Sequence, residues 1–593
     1  MNPLALFRAA AAAPGAVLDA AMGSGRRRRR VWAGLGKAHI EVRGVHRAGM
    51  EALARDVERA LHDAEGVQWA QVNAVTGRVV VAFDPDGPSV DDLVGIVEGV
   101  EEVHEVQEEH FPRDRPEHPG DVEPLRRQAI ALGADAAALG ASVFGQLLRA
   151  APFPVELGSL FALAENEPRV RRLLEHHVGV ALTDLGLGVT SAFAQALSQG
   201  PLTLAADITH RANQLGELQA NRRAWERREG DLCDSPLAEP PRAVSVPPRA
   251  RPLRSGPVES YADVAGAVSV AAVGTVLAVT RSPRLAGGVV TAGVPKAARH
   301  GREAFAARLG RELASRDVVV LDRTALRRLD RVDTVVLDAA VLRSGRMVIR
   351  RVRVIDGHDA ATTTEKAQAL FDPAAPDRLV RRGRWTLGPL EAVTGRLATV
   401  PGLGTATGIR TASGIRAGSP SARRSLGIAW SGRLAGVVDV EPEIDPLAEP
   451  LAEAVRRLGL HLVLAGKGSG LGDRLRADEV VAGGALLTRS VRSLQAEGRG
   501  VLLVSGGPAH GALRAADVGV GVDGRGPHPP WGASLVTTPS LAHAHLVVES
   551  LAAARTASRW SVGLSAAGFA AGATWSVLGP RASASRRAAV PVN

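Results

Sequence analysis

Apolar and polar positions alternate along the chain with two different periods. Strand-like alternation covers 39–43, 67–73 and 78–83, and helix-like periodicity covers 48–62 and 89–98. A last short strand is expected before Glu108. The segment 112–124, rich in Pro, Asp and Glu, reads as a linker. Apolar, Ala/Gly-rich stretches follow at 129–148, 153–164, 178–197 and 202 to about 215. A membrane span needs about 20 apolar residues, which the first and third stretches supply. Buried soluble helices are the competing reading, because the stretches carry Asp135, Asp184 and Asp207. A second linker, 233–257, is dense in Pro and Arg and precedes a third apolar pair, 262–280 and 285–294. Towards the end, 539–555 reads as a stalk helix and 560–578 as a final pass.

Between these regions lies an α/β pattern centred on Arg331-Val-Asp-Thr-Val-Val-Leu-Asp338, an apolar run that delivers one carboxylate to its end and then turns. The carboxyl end of a buried strand is where α/β folds place chemistry. A helix at 298–313 and a short strand at 318–322 precede the run. Residues 346–424 are rich in Gly, Ala and Thr, with 399–421 mostly irregular. The α/β pattern resumes with a hairpin over 427–441, turned by Ser431-Gly432, and continues to Val522. The strand and helix order within 37–108 is the split βαβ, a ferredoxin-like βαββαβ arrangement.

Composition narrows this picture. A chain of 593 residues holds several domains. Of 72 basic residues only Lys37, Lys296, Lys366 and Lys467 are lysine, and the net +10 is spread as arginine along the whole length. That distribution reads as codon bias, so no nucleic-acid partner is expected. Arg26–Arg30 is the local exception and reads either as an anchor facing anionic lipid or as a flexible solvated arm. Arginines at 126–127, 169–172 and 222–228 flank hairpins, so the positive-inside rule expects a multi-pass protein of the cell membrane with cytoplasmic soluble domains. The lone Cys233 excludes internal disulfides and cysteine-pair metal sites, which suits a reducing compartment. The first 25 residues lack the pattern of a signal peptide.

The Asp338 run resembles the phosphorylation motif of P-type cation-transporting ATPases, a Val-Asp-Thr-Val-x-Phe strand followed by Asp-Lys-Thr-Gly-Thr. Asp338 stands at the aspartate, while Ala339, Ala340, Val341 and Leu342 occupy the other four positions. The resemblance implies a haloacid-dehalogenase-like (HAD-like, Rossmann-type) phosphorylation domain over 301–345 and 425–545, a reduced nucleotide-binding remnant over 346–424, membrane hairpins over 126–300 interrupted at 230–260, and a stalk with a final membrane helix over 546–593. Residues 37–108 resemble the heavy-metal-associated domain of metal pumps, between a basic segment 1–36 and a linker 109–125. In that domain a Cys-x-x-Cys loop holds a soft metal. Here Arg47 and Met50 stand at the cysteine positions, so no metal is expected there.

Further motifs of the family are changed or missing. Between Asn221 and Tyr261 about 40 residues leave no room for an actuator domain, and no Thr-Gly-Glu occurs there. The nucleotide-binding remnant lacks Lys-Gly-Ala, so no nucleotide-binding residues are assigned. Thr-Gly-Asp aligns with Ala465-Gly466-Lys467, and the lysine loop places Leu487 at the lysine, with Arg489 two positions away on a helix. Ala512-Leu513 through Asp517-Val-Gly519 matches Ala-Leu-x-x-Ala-Asp-Val-Gly without a gap. Gly-Asp-Gly-x-Asn-Asp therefore falls on Val504–Ala509, with Ser505 and Ala509 at the magnesium-holding aspartates. Phosphoryl transfer to an aspartate needs such positioned charge.

The resemblance implies the degenerate N-terminal half of a very large tandem metal-cation pump, a pseudoenzyme whose partners are the lipid membrane and a catalytically intact P-type ATPase core. No cofactor is expected, and magnesium and ATP enter only if the family activity survives. The enzymatic alternatives are an active ATP-driven cation transporter or a HAD-type phosphatase using Asp338. Phosphatases of that type carry a second acid two residues on, where Ala340 stands. A truncated product without function is the third reading.

Overall fold

The computed structural model describes residues 29–34, 36–109, 111, 117–147, 201–282, 285, 296–394, 424–466 and 470–578. The expected stretches 153–164, 178–197, 399–421 and all but one residue of 285–294 lie outside them, as do Asp184 and Lys467. Two compact units emerge. The first holds the described residues up to Val336, with Ala454–Leu462 and everything from Gly484; the second holds Leu337–Glu453 and Val463–Gly483.

The first unit begins with a four-stranded sheet. β1 (Val31–Gly34) and β2 (Lys37–Glu41) form a hairpin turned at Gly36, whose φ of 75° suits glycine. After α1 (Glu51–His62) come β3 (Val67–Asn73), β4 (Arg78–Phe83) and α2 (Val90–Val103). The strand order is β1-β2-β4-β3, antiparallel throughout. Leu53, Val57 and Leu61 recur every four residues and bury one face of α1, while Ser89 and Asp92 close a capping box at the start of α2.

This corrects the βαββαβ expectation. After α2 the chain turns at Glu105 (φ 56°) and adds no strand among the described residues. The edge beside β2 is taken instead by β1, with Trp32 buried, giving ββαββα. The domain therefore starts before Lys37. Arg29 is not a lipid-facing anchor: its guanidinium is buried and grips Glu101 through both carboxylate oxygens, at 2.9 and 2.7 Å.

Among the described residues four helices follow, α3 (Val122–Leu147), α4 (Pro201–Cys233), α5 (Pro257–Thr280) and α6 (Lys296–Ala314). α3 packs on α4, and α6 packs on both α4 and the C-terminal helix Ala542–Val577. That last helix runs unbroken for 36 residues, so the expected stalk and final pass are one element. Among the described residues α5 is the one helix long and apolar enough to cross a membrane. Asp135 and Asp207 serve as interhelical ion-pair partners, to Arg211 at 2.6 Å and to Lys296 at 2.8 Å.

The second expected linker is anchored along its length. Leu237 exchanges two hydrogen bonds with the Gln71 side chain, at 2.8 and 2.9 Å, and Pro241 accepts from Ala74 N–H. Arg249 grips Asp517 at 2.9 and 2.8 Å. The first expected linker is shortened by α3, which starts at Val122.

β5 (Val319–Val320) and β6 (Thr334–Asp338) lead into the second unit. There β7 (Arg343–Val354), β8 (Val380–Arg382), β9 (Trp385–Pro389), β10 (Arg424–Trp430) and β11 (Arg433–Ile444) make an antiparallel sheet ordered β7-β11-β10-β9-β8. Met347, Leu426, Ile428, Val438 and Val440 form its core with Ala367 and Leu370 of α7 (Ala360–Leu370). The β10–β11 hairpin turns at Ser431 (φ 47°) and Gly432 (φ 81°), two left-handed residues that match the twist of the strands. This hairpin belongs to the inserted sheet rather than to the α/β pattern after it, because β11 pairs with β7, β10 pairs with β9, and its apolar side chains pack with α7. The insert thus spans 343–444, not 346–424. β12 (His461–Ala465), β13 (Glu479–Val481), β14 (Val501–Ser505), β15 (Val518–Val522) and β16 (Leu535–Thr537) complete the strands, and the remaining sheet is ordered β13-β12-β6-β14-β15-β16-β5.

Candidate functional site

Asp338 ends β6, a strand whose five residues are all buried, and is itself 8% exposed. The chain turns at once. Ala340 N–H donates to Asp338 Oδ1 at 3.0 Å and Val341 N–H to the Asp338 carbonyl at 3.1 Å. Val341 and Leu342 are fully buried, so two of the four positions after the aspartate serve as core rather than as polar groups. Ala339 N–H donates to the Ala465 carbonyl at 2.8 Å, which brings the end of β12 beside the aspartate. Ala465 is fully buried and offers a methyl where the family's Thr-Gly-Asp offers a hydroxyl. Gly466 follows with φ 116°; a Cβ there would lie 3.3 Å from that of Ala339.

One charged neighbour of Asp338 escaped the sequence reading. Burial lowers the Arg343 guanidinium from its ordinary range, and the Asp338 charge acts in the opposite direction. Arg343 opens β7, five residues after the aspartate, where helix or strand periodicity gives no hint that the two charges meet.

The other two loops lie in the first unit. Leu487 is buried at the start of the helix Leu487–Ala496, and Arg489 is exposed. Ser505 is fully buried at the end of β14, and Ala509 is half-buried in the turn that follows. The segment 525–532 lies directly on this turn: a Cβ at Gly506 would overlap the Arg525 carbonyl, and one at Gly507 the His528 carbonyl. His510 is buried next to it, its ring nitrogens without a partner; burial, with His528 and Arg514 nearby, pushes its pKa down to about 4. Asp517 is engaged structurally, accepting from Arg249, Gln495 and Val501 N–H.

In the N-terminal loop Arg47 pairs with Glu109 at 2.7 Å, and Met50 packs partly buried against the domain core. Among the described residues no three His, Cys, Asp or Glu side chains gather in a metal-holding group.

No family model matches the chain. It is 32% identical over 569 residues to the probable cation-transporting ATPase I of Mycobacterium tuberculosis, covering 86% of this chain and 33% of that one. To the protein of the same name from Mycobacterium leprae it is 30% identical over 573 residues, covering 86% and 34%. The chain thus spans about a third of the length of these curated relatives. Two solved structures of a zinc-transporting PIB-type ATPase, in different states, are similar to it. One has a TM-score of 0.41 (14% identity, 64% of this chain and 65% of that one), the other 0.45 (12%, 79% and 99%). Those likenesses are slight, and the relationship rests on the sequence matches and on the Asp338 and Ala512–Gly519 motifs. The chain belongs to the cation-transporting P-type ATPase family.

Proposed function

We propose that this chain is a catalytically silent unit of a metal-cation-transporting P-type ATPase, one that supports an intact pump instead of driving transport itself. In this reading the N-terminal domain is a variant of the ferredoxin-like, heavy-metal-associated type without its cysteines. The sheet carrying Asp338 is a HAD-like phosphorylation domain without its chemistry. The observation that carries the reading is the surroundings of Asp338: apolar, largely buried residues at 339–342 and a methyl at Ala465 stand where phosphoryl transfer calls for a lysine and hydroxyls.

The residues present do not fit a resident magnesium ion. Hard cations take six or more oxygen ligands, mostly from carboxylates, carbonyls and water. Position 509 offers a methyl, and position 505 one buried hydroxyl whose neighbouring turn is covered by 525–532.

The partners that suit this reading are the lipid bilayer of the cell membrane, entered at least by α5, and a catalytically intact P-type ATPase core. The relatives, named as cation-transporting ATPases, extend over about three times the length matched here, which is room for such a core. The test is whether the purified chain forms an acyl-phosphate from ATP, with Asp338→Asn as the control.

A further inference from the structure

We propose that the seam between the N-terminal sheet and α4 is a proton-operated latch, in which two buried imidazoles, His39 and His118, hold the seam closed while neutral and loosen it when they take up protons. This is independent of whether Asp338 is active. His39 lies on β2, His118 on the segment before α3, and they are 2% and 8% exposed, with ring centroids 4.7 Å apart. Trp32 of β1 and Trp225 of α4 wall them in: Trp225 stands edge-on to both rings at 5.5 and 4.6 Å, and Trp32 lies 5.1 and 5.4 Å away. Trp225 is 1% exposed, so the box is largely shielded from bulk water.

The hydrogen bond to His118 favours a neutral ring, while Glu229 favours a proton on His39 against the cost of burying it. His118 Nδ1 accepts from Gly120 N–H at 3.1 Å, which places the neutral ring's proton on Nε2, a buried atom without a partner. A second proton would have to enter at Nδ1 and face the Gly120 N–H, donor against donor. His39 Nε2 lies 3.1 Å from Glu229 Oε1 of α4, which is 1% exposed.

The other charges around the box offer little to an imidazolium. Lys37 of β2 and Arg78 of β4 oppose a proton on His39, and Arg78 opposes one on His118. Glu41 and Asp121 both pair with Arg78 at 3.4 Å, and Glu117, next to His118, is taken by Arg323 at 2.8 Å. Two imidazolium rings with centroids this close, tilted by 49°, would also repel each other in a buried box.

Burial accordingly holds His39 below its ordinary 6.5 despite Glu229, and His118 well below it. A group whose pKa is depressed in the closed state takes up a proton on opening. The closed seam is therefore at full strength above pH 6.5 and weakens as pH falls below it, by about tenfold per pH unit for each proton taken up. The loosening is local. The Gln71–Leu237 bonds and the Arg78–Asp121 pair contain no imidazole and keep the domain attached.

Hydrogen exchange of the full chain between pH 7.5 and 5.0, corrected for intrinsic exchange, tests the latch. Amides of β1, β2 and residues 225–233 should lose protection by about tenfold or more per pH unit below 6.5, while α1 and β3 keep theirs. His118→Phe, which keeps a flat ring without a proton, should make that dependence shallower, and so should His39→Gln if the Phe variant does not fold. Constant protection across the range, equal loss throughout the domain, or an unchanged slope in the folded variant overturns the latch.

Discussion

The Asp338 carboxylate accepts a hydrogen bond from the N–H of Ala340, two residues along, at 3.0 Å. In a working phosphoryl acceptor that carboxylate must be free to attack an in-line phosphorus, with cations arranged to take the charge that develops. Here it closes the turn of its own loop, and Arg343 is one of the charges near it. Val341 and Leu342, which follow it, are buried in the core.

Glu101 is the buried centre of the N-terminal domain. It accepts from the Arg29 guanidinium, from Arg43 N–H at 2.8 Å and from Arg43 Nη1 at 2.6 Å, with its side chain fully shielded. Glu101→Gln leaves two shielded guanidinium groups without their carboxylate and should destabilise the domain by about 3–5 kcal/mol. Urea unfolding followed by hydrogen exchange of residues 31–103 checks this, and a loss below about 1 kcal/mol would mean that the network contributes no more than a surface pair.

Gly507 meets the backbone of the segment lying over it, since any Cβ would overlap the His528 carbonyl. Gly507→Ala should cost about 1–3 kcal/mol by overpacking. Gly77→Ala is a poor control because its φ of 72° adds strain, whereas Gly95→Ala, open on the exposed face of α2, should be neutral or stabilising. Equal stability of the Gly507 and Gly95 variants would show that 525–532 does not press on the turn.

The N-terminal loop should hold copper(I) or zinc no more tightly than free histidine in the buffer, because Arg47 is cationic and engaged by Glu109 and Met50 supplies a single thioether. Competition with a chromophoric chelator measures it. Submicromolar binding that disappears in Met50→Ala would show that the loop kept a site.

The N-terminal and Asp338 domains should both be cut by protease added to inside-out membrane vesicles, as the arginine flanks at 126–127 and 222–228 require. Protection of either domain would reverse the orientation.

How much of this was legible in the sequence depended on how local each signal was. β6 was plain because a run of five buried residues ending in a carboxylate has few other readings. Helices α1 and α2 were plain from their four-residue spacing. β1 was missed because it follows an arginine run, has four residues, and buries only Trp32. The extent of the inserted sheet was missed because β7 carries exposed arginines at 350 and 351 and a half-buried one at 353, and shifts register against β11, which hides the alternation. Residues 233–257 read as a linker because their anchors lie far away: Gln71 and Leu237 are 166 positions apart, and Arg249 and Asp517 are 268. At the site, the alignment of Ser505 and Ala509 followed from the flanking Ala512–Gly519 motif, whereas the covering of their turn by 525–532 depends on backbone contacts that spacing does not encode.

Whether Asp338 sits in a site without phosphoryl-transfer chemistry is decided by incubating the purified full chain with γ-labelled ATP and magnesium and measuring acid-stable, hydroxylamine-sensitive label. Label should stay at the level of Asp338→Asn, with or without added metal cations. Label above that level that is lost in Asp338→Asn would contradict the absence of that chemistry.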